Sequence, residues 1–459
     1  MFSLAETGKE FKLSLRLAIP LILSEIIYAL SGFLATAMIA HLGKEQLATH
    51  ALVWQIYMTT ILFFIGVLCS ISIMASQSFG TEDKEATIIS FKQGIIIALI
   101  FSVPMMVIMG SAPQFLSWTK QDPTVISLSK SYCYSMILPM IPLNIWVAIQ
   151  QFLMGINRVR IVAITNAIAV PIELFFFYVF IFGKLGFPQL GLAGIGFGLT
   201  ASFTVVSIFL IAYLQIEKDI KNYHLFQRWW IIERKFFMEM FRIGVPMGIM
   251  WFSEVTFFTI VALMMGVLGV NVLAAFQIAD QYLMIAVVIL FALGQTAVIR
   301  IGNEVGRNNK DQIKLSAVIN IVIAIFIIGC FSAFYLIFPE VAIRLDIDVN
   351  ASQYSEVMTE TLKYFPLVAI LLLVDCIRIV LNGALRGLKD TNFQLILSVL
   401  GYWVIAFPLA YLLGFKYNLG GIGIWWGIII GLFTNGIMLI FRFRKLLPKL
   451  DLSSLITKK

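Results

Sequence analysis

The chain has 459 residues, 60% of them hydrophobic and 13% charged, with a mean hydropathy of +0.94 and a formal net charge of +8. A water-soluble protein of this length has no way to hide so much apolar surface, so composition selects a polytopic membrane protein. The positive charge does not argue for a nucleic-acid partner, because the basic residues fall between apolar runs, where they set topology. Cys69, Cys133, Cys330 and Cys376 all lie in apolar segments without metal-ligand spacing and read as buried thiols.

Taken from the start, residues 2–16 form an amphiphilic lead-in. The apolar run that follows is too long for the core of a cleavable signal peptide, so none is expected. At about 20 residues per crossing, the chain divides into twelve apolar segments. They cover 15–40, 48–77, 88–112, 130–155, 160–183, 190–214, 240–267, 272–302, 315–339, 358–382, 392–415 and 419–441. An even number puts both termini on one side. That side, with the connections after even-numbered helices, holds 26 of the 33 Lys and Arg, Arg378 among them. The positive-inside rule therefore predicts cytoplasmic termini in a plasma (inner) membrane protein.

The one sizeable mid-chain break, 215–235, separates six segments from six. The expected organisation is a first six-helix lobe at 1–214, a cytoplasmic linker at 215–239, and a second lobe with a short basic tail at 240–459. An internal repeat at an offset of 226 supports this division: Arg16-Leu-Ala-Ile-Pro20 matches Arg242-Ile-Gly-Val-Pro246, and His41-Leu-Gly43 matches Val267-Leu-Gly269. Because the offset spans an even number of helices, the halves share one orientation. The predicted fold is all-α, with twelve transmembrane helices in two lobes related by a pseudo-two-fold axis along the membrane normal.

Within the apolar runs lie Glu25, Glu173, Glu254, Asp280 and Asp375. Intramembrane carboxylates are costly and read by default as functional. With only His41, His50 and His224, and no nucleophile–base pair, no enzyme chemistry or cofactor is expected. Glu254 has Met250, Trp251, Phe257 and Phe258 at helical spacing, an aromatic wall suited to a lipophilic cation. The alternative is a protonated acid that hydrogen-bonds a neighbouring helix. Asp375 has Arg378 three residues on. That arginine either pairs with it or snorkels to the cytoplasmic edge and leaves it free.

The stretches Phe252-Ser-Glu254-Val-Thr-Phe-Phe, Ala274-Ala-Phe-Gln277, Asn382-Gly-Ala-Leu-Arg-Gly-Leu-Lys-Asp390 and Tyr402-Trp-Val-Ile-Ala-Phe-Pro408 resemble the multidrug and toxic compound extrusion (MATE) transporters, most closely their NorM branch. The resemblance implies a cation-coupled antiporter, driven by Na+ or H+, that exports amphiphilic, mostly cationic organic compounds by alternating access. It places the coupling acids on Glu254 and Asp375, where Na+ is the metal to consider, with Asp280 a third coupling candidate. Trp251, Phe257, Phe258 and Gln277 are the candidate substrate contacts. Two first-lobe aspartates of the family fall on Ala35 and Val170 here, while their polar companions are kept as Asn166 and Thr200. Either Glu25 or Glu173 stands in for them, or coupling rests on the second lobe, the reading favoured here. Arg378 also departs from the related branch, which carries a neutral residue there. The expected partners are drug-like organic cations and the lipid bilayer, with the protein acting as a monomer. The alternative is a lipid or lipid-linked saccharide flippase of the same superfamily, which the scarcity of basic residues inside the apolar runs disfavours.

Overall fold

The protein is described by a computed structural model covering residues 3–118, 122–228, 230–343 and 355–457, without the side chains of residues 29, 30, 33 and 355. Among these residues every regular element is helical. In the hydrocarbon core a backbone N–H or C=O has no water to bond, so a helix satisfies its own chain as it crosses. The helices are α1 (Leu4–Ala40), α2 (Lys44–Gly80), α3 (Lys84–Trp118), α5 (Val159–Phe182), α6 (Ala193–Ile216), α7 (Arg234–Leu268), α8 (Val270–Gly306), α9 (Lys310–Ile337), α10 (Ser355–Gly387), α11 (Thr391–Lys416) and α12 (Gly420–Lys449). Between α3 and α5, Pro123–Ser135 and Met140–Gly155 make one span, α4, bent by 53°. Among the described residues ten of these helices are long and apolar enough to cross a membrane, α4 makes an eleventh, and α1 carries the first apolar run. The twelve expected segments are thus all helical.

The 226-residue repeat is visible in helix boundaries. Lys44 and Val270 start α2 and α8, Gly80 and Gly306 end them, and Lys84 and Lys310 start α3 and α9. The turns into α2 and α8 use Gly43 at φ 126° and Gly269 at φ 138°, conformations that a Cβ resists. Glu82 and Asn308, again 226 apart, both sit in the left-handed region.

The described chain resolves into two compact units. One gathers Met1–Ile22 and Ile249–Leu455; the other gathers Leu23–Gly248 and the extreme C-terminal residues. The boundaries fall inside α1 and α7, at positions related by the same offset, not in the 215–239 linker.

In the first of these units the early part of α1 is fastened by buried charges. Glu10 accepts hydrogen bonds from Arg300 Nε at 2.9 Å, Arg300 Nη2 at 2.5 Å and Ser316 Oγ at 2.6 Å, while Arg300 also meets Glu304 at 3.1 Å. In the other unit the early part of α7 is held mainly by close backbone approach. A Cβ at Gly244 or Gly248 would press on the backbone of Val67 or Phe63, and Phe236 is fully buried.

α11 departs from regular α geometry. It widens into π-helix at Leu400–Ala406 and again at Leu412–Lys416, on either side of Pro408, whose missing N–H breaks the i→i+4 ladder. A stripe of small residues on α12 lets it approach this helix: a Cβ on Gly423, Gly427 or Gly431 would collide with Leu413, Ala410 or Ala406.

Candidate functional site: a buried charge cluster on α7, α10 and α11

The middle of α7 brings Glu254 to a helix bundle in which α10 and α11 supply its partners. Arg378 Nη2 donates to Glu254 Oε1 at 2.9 Å, and Tyr402 Oη donates to the same oxygen at 2.6 Å. Arg378 Nε meets Asp375 Oδ1, one helical turn away on α10. The guanidinium thus bridges the two carboxylates, and it lies 5.5 Å from the centroid of the Tyr402 ring. Asp375 and Arg378 are buried, whereas the Glu254 side chain keeps 19% of its surface.

A ring layer supports this cluster. Phe257 packs on Tyr402 at 5.0 Å and edge-on to Trp403 at 6.2 Å, and Trp403 Nε1 donates to Ser253 Oγ at 2.7 Å. These contacts fix the α7–α11 register and aim the Tyr402 hydroxyl at Glu254. The wider π turn at Leu400–Ala406 carries both aromatic residues, a placement often found where helices serve a site.

Of the two courses open to Arg378 in the sequence, the structure takes the ion pair. The arginine is buried between the two acids, so it drops out of the topology count. The remaining basic residues keep the same bias. Arg378 and Tyr402 are the residues that sequence reasoning did not assign to the site. For Arg378 the signal was available, a cation one turn from an acid in an apolar run. For Tyr402 it was not, because a tyrosine in an apolar helix is unexceptional.

The other candidates are placed as follows. Asp280, on α8, is half-buried; among the described residues its Oδ1 has no hydrogen-bond partner, and no bond joins it to the Glu254 cluster. Trp251 lies under the Arg386 guanidinium at 5.5 Å and beside Phe291 at 6.1 Å. Phe258 is half-buried and edge-on to Phe257, and Gln277 is exposed. Phe257, expected beside the substrate, is fully buried in the core, where it buttresses Tyr402.

In the Leu23–Gly248 unit, buried Glu173 accepts from Ser31 Oγ at 3.2 Å. Asn166 accepts from Gln150 Nε2 and donates to Ser24 Oγ at 2.5 Å. Thr200 bonds the Gly196 carbonyl of its own helix at 2.6 Å, so no hydrogen bond links it to Asn166. Glu25 is half-buried, one turn from Tyr28, whose ring lies tilted against Trp146 at 6.3 Å. Ala35 and Val170 are buried apolar positions.

A twelve-helix membrane bundle of two repeated halves, with a bridged pair of intramembrane carboxylates in the second, defines the class. The MatE family profile matches residues 20–179 and 246–412, two segments that begin one repeat apart. The chain belongs to the MatE family. It is 28% identical over 441 residues to a protein described as probable multidrug resistance protein NorM from Rhizobium meliloti, covering 96% of this chain and 94% of that one. It is 27% identical over 448 residues to a similarly described protein from Synechocystis, covering 98% and 96%. Among solved structures, MATE in a bent conformation superposes with a TM-score of 0.87 at 19% identity, covering 99% of this chain and 98% of that one. An outward-facing multidrug resistance MATE family transporter gives 0.86 at 20% identity, covering 98% and 97%. These structures are alike in fold.

Proposed function

We propose that the protein is a secondary antiporter that exports amphiphilic, mostly cationic organic compounds, coupled to the inward flow of Na+ or H+ by alternating access. The observation that carries this reading is the Glu254–Arg378–Asp375 cluster inside a MatE-family bundle. Two carboxylates facing one guanidinium leave one negative charge in excess, and the part-exposed member, Glu254, has its Oε2 free of any hydrogen bond or ion pair among the described residues. An organic monocation at Oε2 neutralises the excess. An incoming cation that neutralises it first lowers the drug's affinity, and linkage makes that weakening reciprocal. The names of the NorM relatives support drug-like substrates, and aromatic Trp251 and Phe258 on the Glu254 helix suit such ligands.

Coupling at Glu254 and Asp375 is the primary arrangement in this reading, with Asp280 a separate acid on the same unit whose Oδ1 has no hydrogen-bond partner among the described residues. Glu173, Glu25 and Asn166 form a first-half polar group of secondary weight. The basic residues that remain after Arg378 is removed support cytoplasmic termini in a plasma membrane, and the protein acts as a monomer.

The test is efflux of a fluorescent lipophilic cation from everted vesicles under an imposed sodium or proton gradient. Glu254→Gln removes the part-exposed carboxylate of the cluster, so gradient-driven efflux is expected to fall to the level of empty vesicles. Full efflux by that variant sinks the proposal.

A further inference from the structure

The geometry points to Arg378 as a resident counter-cation that keeps Na+ out of the Glu254–Asp375 pair and so sets which ion this site couples to. The inference rests on the antiport reading above and narrows it.

A bound Na+ is a hard cation that gathers a shell of several oxygens, typically carboxylates, carbonyls and waters. The pair offers four carboxylate oxygens and the Tyr402 hydroxyl, and one oxygen of each carboxylate is already taken. Arg378 Nη2 holds Glu254 Oε1 at 2.9 Å while its Nε holds Asp375 Oδ1. Tyr402 donates its proton to the same Glu254 oxygen at 2.6 Å, which further occupies that carboxylate oxygen. No group of three or more His, Cys, Asp or Glu suited to a metal occurs among the described residues.

Electrostatics act in the same direction. A second cation entering between the carboxylates meets a guanidinium at contact distance, in a medium where like charges repel strongly. Arg378 cannot yield by losing its proton, since guanidinium stays charged in proteins. Nor can it leave easily. It is buried on a helix interior, its side chain is capped by the Tyr402 ring, and withdrawal would strand a charge without a partner. The space where a coordinated metal would bridge α7 and α10 is filled by a side chain that does the bridging itself. Of the two coupling ions in the antiport reading, only the proton needs no coordination shell, so Na+ is the one excluded here.

The inference is tested on purified full-length protein by thermal unfolding in NaCl, KCl and choline chloride at equal ionic strength. Wild type is expected to show no Na+-specific shift. Arg378→Gln, which leaves both carboxylates without their resident cation, is expected to gain a stabilisation in NaCl that KCl does not reproduce. Arg378→Lys retains the charge and is expected to behave as wild type. A Na+-specific shift in wild type that disappears in Glu254→Gln overturns the inference, as does a folded Arg378→Gln protein indifferent to Na+. Should Arg378→Gln not fold, a Na+-specific shift in wild type or in Arg378→Lys still overturns the inference, and Arg378→Met takes the place of Arg378→Gln as the variant expected to gain the NaCl response.

Transport into proteoliposomes separates this inference from the one beneath it. Efflux that ignores an imposed Na+ gradient in wild type and follows it in Arg378→Gln agrees with the exclusion. Absence of organic-cation movement under any gradient removes the antiport reading, while the Na+ response of the purified protein still judges the exclusion.

Discussion

Arg378 is held by two acids on two helices, and its loss is the most consequential single change at the site. Arg378→Leu keeps an apolar side chain at the position but leaves Asp375 buried without its counter-charge and Glu254 with only the Tyr402 hydroxyl. Removing one partner of a buried ion pair costs about 3–5 kcal/mol. The variant is expected to unfold at correspondingly lower denaturant in mixed micelles, and Asp375→Leu combined with it should recover part of the loss. Glu254 and Asp375 were legible as candidates in the sequence because an acid stands out against an apolar background. Their mutual arrangement was not, because it depends on the side-chain direction of Arg378 and on Tyr402, which lies 148 residues from Glu254.

Helix existence follows from apolar run length, and all twelve segments were legible for that reason. Shape within a helix is a different matter. The π turns of α11 arise where Pro408 removes a donor and where α12 approaches, and only the proline is visible in the sequence. The approach itself depends on glycines whose role is geometric. Gly427→Ala would drive a Cβ into the Ala410 backbone, whereas Gly436, on the same helix, has open space around that position. Overpacking costs typically about 1–3 kcal/mol, while alanine in place of glycine in a roomy helix interior gains roughly 0.5–1 kcal/mol. Thermal unfolding is therefore expected to separate the two variants with opposite signs, Gly427→Ala below wild type and Gly436→Ala above it. Equal effects would remove the close-approach explanation of the α11–α12 contact.

At the scale of the molecule, the repeat read from Arg16–Pro20 and Arg242–Pro246 reappears as matched helix ends and turn glycines. The linker-based boundary, in contrast, does not coincide with the division into compact units, which passes between Ile22 and Leu23 and between Gly248 and Ile249. Sequence composition marks where a chain is polar, not which neighbours a helix segment keeps. The two early helix segments are also fastened by different means, one through Glu10 and Arg300, the other through glycine contacts and Phe236. Arg300→Met is accordingly expected to destabilise by about 3–5 kcal/mol, since Glu10 and Glu304 lose their shared cation inside the fold. Gly244→Ala is expected to act by steric crowding alone, so its effect should not change with salt, and urea titrations at two ionic strengths check the contrast.

The division within α1 also has a bearing on biogenesis. Residues 1–22 are synthesised well before Ile249–Leu455, yet the two stretches belong to one compact unit. Domains that form as they emerge complete themselves in order, but here the opening segment must wait through more than two hundred residues for its neighbours. Glu10 has no Arg300 to meet during that interval. Neither compact unit is therefore the product of one uninterrupted stretch of message.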